Sequence, residues 1–330
     1  MTRNYMQEQG GAQAIKGFNF QTAMGALIAV FNFSESDFKM IVEGKEDLEV
    51  HKAGICTYIQ VKSSKLTTKQ LLKNPKPKKS GERRLAILYK LLSTGTTQDR
   101  YKLIVSDKFP EKDFYGHFTT SSAAQILDKA YCPTTQTIQH IQQHMKRDGI
   151  PLPNELLQHL FLYRAPFQTD WETASRYICG VMSERNILTD NGCGRNAFNE
   201  IIRIIYQKSE YTEDGNLKEK TITSADLKRI FHTSKRPLLE EQIIAQLFPG
   251  QILKQDTIRR NIVKIPLAFR YHKENIKERL GPLKSEDLMR ESERINKCMC
   301  IESIALYPIS DEVKYAILID LLLDEYEAKL

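Results

Sequence analysis

Apolar positions recur at helical spacing through residues 12–33, where Ala14, Phe18, Gln21, Gly25 and Ile28 share one face with apolar residues on both flanks. The polar SESD at 34–37 ends that pattern. Three short strand-like runs follow: 38–43, then 47–51, then 55–62, the last rich in β-branched and aromatic residues. Ala53-Gly54 separates the second from the third and supplies the permissive residues of a two-residue hairpin turn. Residues 66–72 read as a short helix, NPKPKKSG at 74–81 as a loop, 83–92 as a helix and 101–106 (YKLIVS) as a strand. Beyond about residue 120 the pattern changes, and 121–147, 153–164, 169–186, 195–209, 223–232, 236–247, 284–297 and 311–328 all favour helix. The expectation is an α/β domain over 1–107, a linker at 108–120 and a mainly α-helical domain over 121–330. No internal repeat period stands out.

The hairpin carries candidate chemistry. With Ala53-Gly54 as the turn, Lys52 pairs with Ile55, His51 faces Cys56 and Asp47 faces Gln60. Side chains alternate along a strand and opposed residues share a face. Asp47, Gln60 and Lys62 therefore converge on one side of the sheet, and Ile55, Thr57, Ile59 and Val61 face the other. A one-residue slip of register would undo this convergence. A carboxylate, an amide oxygen and a lysine together suit phosphodiester cleavage. Asp47 can bind a hard divalent cation, Mg²⁺ or Mn²⁺, with Gln60 as a weaker ligand. Lys62 can orient the attacking water or stabilise the transition-state charge. Glu43, at the end of the preceding strand, is a candidate second acid and metal ligand, with Glu46 the alternative.

Charge sharpens the picture. The 330 residues carry a net +7, but residues 61–90 hold ten basic residues against one acid. That window is +9, and the remainder is −2. The chain is thus not generally basic; it has one basic segment suited to a polyanion. Lys65, Lys69, Lys73, Lys76, Lys78, Lys79, Arg83 and Arg84 are the candidate DNA-phosphate contacts. No recognition helix with a base-reading Arg/Asn set stands out, so low sequence specificity is expected. With six cysteines, no signal-like N-terminus and no apolar run of about 20 residues, a reduced, cytoplasmic, non-membrane setting is the expectation.

Three quoted stretches make the pattern specific: GGAQAIKGFNFQTAMGAL, VEGKEDLEV and TYIQVKSS. Together with the helix, three-strand, helix, strand order they resemble the PD-(D/E)xK (restriction-endonuclease-like) nucleases. Within these they resemble the double-stranded-DNA endonuclease domain of the CD-NTase-associated effectors of CBASS. The resemblance covers roughly residues 10–107. It implies that Gln21 matches the helix glutamine, Glu43 and Asp47 the acidic block, Gln60 the residue replacing the usual second acid, and Lys62 the catalytic lysine. In CBASS this nuclease is fused to a SAVED nucleotide sensor, whose alternating strand and helix pattern has no counterpart in 108–330. A helical tail instead resembles the nuclease subunit of Lamassu-type antiphage systems. That resemblance implies an SMC-like ATPase, a third subunit, double-stranded DNA as substrate and activation by partner release or oligomerisation. The alternatives are a nuclease-like DNA-binding assembly subunit that does not cut, a CBASS-type effector and a restriction-type endonuclease.

Other signals are weaker. Cys298-Met299-Cys300, Cys193, and the His140/His144 pair lack the further ligands a zinc site needs. No G-x-x-x-x-G-K-[ST] loop occurs. The dense apolar stretch containing Val313, Ala316, Ile317, Ile319, Leu321 and Leu322 reads as a buried helix, with partner docking as the other reading.

Overall fold

The computed structural model describes residues 10–64, 66, 68–74, 85–106, 118–119, 130–150, 152–211, 217–280 and 290–328. In chain order these form α1 (Gly10–Asn32), β1 (Lys39–Val42), β2 (Leu48–Lys52), β3 (Ile55–Lys62), α2 (Thr68–Leu72), α3 (Ile87–Leu92) and β4 (Arg100–Val105). Next come β5 (Phe118–Thr119), β6 (Ala130–Tyr131), α4 (Thr135–Arg147), β7 (Leu160–Arg164), α5 (Trp171–Glu184), α6 (Asn191–Ser209) and β8 (Thr221–Thr223). The remainder is helical: α7 (Ser224–Leu247), α8 (Ile252–Lys264), α9 (Arg270–Leu280), α10 (Glu291–Met299), α11 (Glu302–Ala305) and α12 (Asp311–Ala328). The chain divides into two compact units, Met1–Ile230 and Phe231–Leu330.

The first unit is built on an eight-stranded sheet of order β5-β6-β7-β4-β3-β2-β1-β8. β3, β4 and β7 run parallel, and the outer pairs are antiparallel. β3 is central and buried from Thr57 to Val61, with apolar residues Tyr58 and Ile59 on opposite faces. On the face of Leu48, α1 packs with α5 and α6. Gly25 of α1 lets the helix approach closely, since a Cβ there would stand 3.2 Å from Ile205 and 3.6 Å from Leu48. From Phe20 to Val30 almost every α1 side chain is buried, the mark of a helix inside a core rather than on a surface. α1 is the one described helix long and apolar enough to cross a membrane, and that apolar stretch is largely spent on this packing. On the opposite face, Tyr58, Tyr101, Leu103 and Leu162 meet Leu71, Leu88, Leu92, Ile141 and Met145 from α2, α3 and α4. Side-chain caps start α4, α5 and α6: Thr134, Asp170 and Asp190 accept from the backbone of Thr137, Thr173 and Cys193.

The structure corrects the expected organisation of the second half. Residues 153–164 do not form a helix; a 3₁₀ turn at Asn154–His159 leads into β7. The apolar stripe Leu156, Leu157, Leu160 and Tyr163 splits between these two elements. A short run buried on both faces cannot be told from a buried helix by periodicity alone. β6 and β8, two and three residues long, also join the sheet, and of the expected linker at 108–120 only Phe118–Thr119, the strand β5, lies among the described residues. Residues 223–232 and 236–247 form one helix, α7, which continues through Pro237. α8 and α9, absent from the expected elements, follow each other across a π-helical turn at Ile265–Phe269 that holds Pro266.

In the second unit α12 is the buried element. Ala316, Ile317, Ile319 and Leu323 pack with Ile244, Ile258, Ile276, Ile295 and Ile304. An ion network crosses this core: Arg236 pairs with Asp320 and, at 3.0 Å, with Asp324, while Lys273 lies 2.6 Å from Asp320 and 2.5 Å from Asp324.

Candidate nuclease site

The hairpin forms in the expected register. His51 pairs with Cys56 and Lys52 with Ile55, and Leu48 opposite Ile59 leaves Asp47 one step beyond the strand end. Ala53 and Gly54 both take positive φ (52° and 73°), the geometry of a type I′ turn whose twist matches the strands. This register brings Asp47 to the strand that carries Gln60 and Lys62.

Asp47 Oδ2 accepts from Gln60 Nε2 at 2.5 Å and from the Val61 backbone N–H at 2.7 Å. Lys62 Nζ stands 3.8 Å from the same oxygen. Gln21, from α1, donates to Glu43 Oε1 at 2.5 Å and to the Asp47 carbonyl at 3.4 Å. Gln21, Glu43, Asp47, Gln60 and Lys62 therefore sit in one connected set. Lys62 and Asp47 are partly exposed, so the set opens to solvent. The bonds above fall on Oδ2 of Asp47 and Oε1 of Glu43, and the amide of Gln60 turns its nitrogen, not its oxygen, to Asp47.

The 43–47 loop that presents these acids is held tightly. Glu43 takes a positive φ of 50° and donates its N–H to the Asp47 carbonyl. Glu49 accepts from the Lys45 N–H, and a Cβ on Gly44 would collide with the Glu49 carboxylate. Glu46 is buried and accepts from Thr94 Oγ1 at 3.0 Å and Lys90 Nζ at 3.4 Å. Burial raises its pKa, an effect that Lys90 and Thr94 oppose. Of these two candidates for the second carboxylate, Glu43 is the one joined to Gln21.

Two residues escaped the sequence reading. Lys220 donates to the Glu43 carbonyl at 2.8 Å and so clasps the loop from 177 residues away, a pairing no local pattern signals. Lys102, inside the apolar run of β4, is fully buried, with its Nζ 5.2 Å from the Tyr163 ring centroid. Burial holds its pKa down at about 7. A lysine flanked by Tyr101 and Leu103 in a strand between two covered strands was the available signal.

Of the expected DNA-contacting residues, Lys73 is exposed. Lys69 lies on α2. Lys65, Lys76, Lys78, Lys79, Arg83 and Arg84 lie outside the described residues.

Residues 9–148 match the family model described as Cap4, dsDNA endonuclease domain. The chain is also 27% identical over 278 residues to the Lamassu protein LmuA of a Bacillus species, covering 82% of this chain and 84% of that one. Residues 9–148 are thus similar to the Cap4 double-stranded-DNA endonuclease domain, and the chain over most of its length is similar to a Lamassu protein.

Proposed function

We propose that this protein is a metal-dependent DNA endonuclease of the PD-(D/E)xK type, the cutting subunit of a Lamassu-like antiphage system. The single observation that carries the reading is the convergence of Asp47, Gln60 and Lys62 at the end of β3, with Glu43 tied to the same loop through Gln21. The order α1, β1, β2, β3, a helical stretch and β4 supports the PD-(D/E)xK assignment.

The donor set is all oxygen, which suits Mg²⁺ or Mn²⁺. Asp47 and Glu43 would hold the ion through their carboxylates, with Gln60 as a weaker ligand. When bound, the ion supplies charge neutralisation at the phosphate and a more acidic water. The chain's own residues do the rest. Gln60 and the Val61 N–H fix the rotation of the Asp47 carboxylate, so its free oxygen is aimed before substrate arrives. Gln21 does the same for Glu43. Lys62, held beside Asp47, offers its N–H groups to the attacking water or to a non-bridging phosphate oxygen, stabilising the charge that builds there. The basic window that begins at Lys62 receives the flanking phosphates without reading sequence. An SMC-like ATPase and a third subunit are the expected partners, and oligomerisation or partner release is the expected trigger.

The test is degradation of plasmid by the full chain with its partner subunits and Mg²⁺. Lys62→Ala and Asp47→Ala are each expected to lower the rate by about 10²-fold or more. Equal degradation by all three proteins overturns the assignment. A second reading, a DNA-binding subunit that does not cut, is favoured by one feature: Gln60 stands where a second acid would strengthen the metal site. It predicts salt-sensitive DNA binding with no Mg²⁺-dependent product.

A further inference from the structure

We propose a second metal site, for a zinc-class transition ion, formed by Glu49, His51 and Cys56 on the face of the β2–β3 hairpin. His51 and Cys56 are a directly opposed cross-strand pair, and Glu49 lies two residues before His51 on the same face. One nitrogen, His51 Nε2, stands 3.8 Å from Cys56 Sγ and 4.0 Å from Glu49 Oε2. The three donor atoms all lie within 4.8 Å of one another. A tetrahedral ion with bonds of about 2.0 Å to nitrogen and oxygen and 2.3 Å to sulfur needs donors roughly 3.3–3.5 Å apart. The side chains therefore have only a short distance to close around an ion.

The donor chemistry separates this site from the all-oxygen set at Asp47. Imidazole, thiolate and carboxylate together select zinc-class ions over Mg²⁺ or Ca²⁺. Three protein ligands leave a fourth position for water. Glu49 is already oriented for coordination, because the Lys45 N–H occupies Oε1 while Oε2 points to His51. His51 is partly exposed, which gives the ion a way in, while Glu49 is buried. Burial pushes the Cys56 thiol up to about 11, so the thiol is protonated without an ion. Coordination breaks its S–H bond, forms the metal–sulfur bond and releases the proton to solvent. The neighbouring cation is the Lys45 ammonium, 3.5 Å from Tyr58 Oη. Because Glu49 also braces the 43–47 loop, the ion would tie the hairpin to the loop that presents Glu43 and Asp47.

Cobalt reports on the site directly. The full chain, stripped with chelator and titrated with Co²⁺, is expected to take up one equivalent with a near-ultraviolet thiolate-to-metal band and tetrahedral visible absorption, both bleached by Zn²⁺. Cys56→Ser should abolish the thiolate band, and His51→Ala should weaken binding about tenfold or more. Asp47→Asn, which removes a ligand of the oxygen site, should leave the band intact. Absence of a thiolate band in the wild-type chain, or its survival in Cys56→Ser, overturns the proposal. The wild-type titration stands whether or not Cys56→Ser folds, and the partial exposure of His51 makes His51→Ala the safer variant.

Discussion

Lys102 shows what a single side chain can cost. It is wholly buried, its Nζ has no hydrogen-bond partner among the described residues, and the Tyr163 ring faces it. Burial lowers its pKa from 10.5 to about 7. Between those values the unfolded chain holds more protons than the folded one, so stability rises with pH across that window. Below about pH 7 both states are protonated and the full penalty of a buried cation stands. Lys102→Met keeps the length and removes the charge. It is expected to stabilise the protein by several kcal/mol, with about 5 kcal/mol as the upper bound set by the pKa difference. Urea unfolding should show the largest gain near pH 6 and a shrinking one towards about pH 10. A variant no more stable than wild type near pH 6 would show that the ammonium is solvated.

At the scale of elements, the β2–β3 hairpin was the most legible part of the chain, because one local signal settled it. Ala53-Gly54 fixed the turn, the turn fixed the register, and the register brought Asp47 to Gln60. The turn also holds a correctable strain. Ala53 sits at φ 52°, where a Cβ is disfavoured, and its side chain is exposed. Asparagine tolerates that conformation and is preferred in type I′ turns. Ala53→Asn should therefore raise stability by about 0.5–1 kcal/mol, read as a higher urea midpoint at unchanged m-value, with the hairpin register intact. A lower midpoint would mean that the strain at residue 53 is already relieved, as by the Ala53 N–H bond to Asp37 that both side chains leave in place. What stayed hidden was non-local. β6 and β8 are too short to show a period, and they are strands because β7 and β1 pair with them. That Glu43 meets Gln21 while Glu46 meets Thr94 could be read only in space. Lys220 reaches the loop from the far end of the first unit and left no trace in the local pattern.

For the molecule as a whole the distribution of charge matters more than its sum. The net +7 resolves into a +9 segment at 61–90 and a slightly acidic remainder. Not all of that segment is available to DNA: Lys90 is engaged with the buried Glu46, 3.4 Å away. Lys62 belongs to the Asp47 set. Eight basic residues remain between them, from Lys65 to Arg84. If about five of these neutralise duplex phosphates, log K should fall with log salt at a slope near −4 to −5. The measurement is fluorescence anisotropy of a labelled duplex with chelated metal, so that binding is read without cleavage. Unrelated duplex sequences should give the same slope, because phosphate contacts carry no sequence information. Changing Lys76, Lys78 and Lys79 together to Gln should flatten the slope by roughly 3 and weaken binding to all sequences alike. A slope near −1 in the wild type would place the DNA elsewhere. A slope that stays steep in the triple variant would assign the phosphate contacts to Lys65, Lys69, Lys73, Arg83 and Arg84, leaving the intervening prolines and lysines as a spacer.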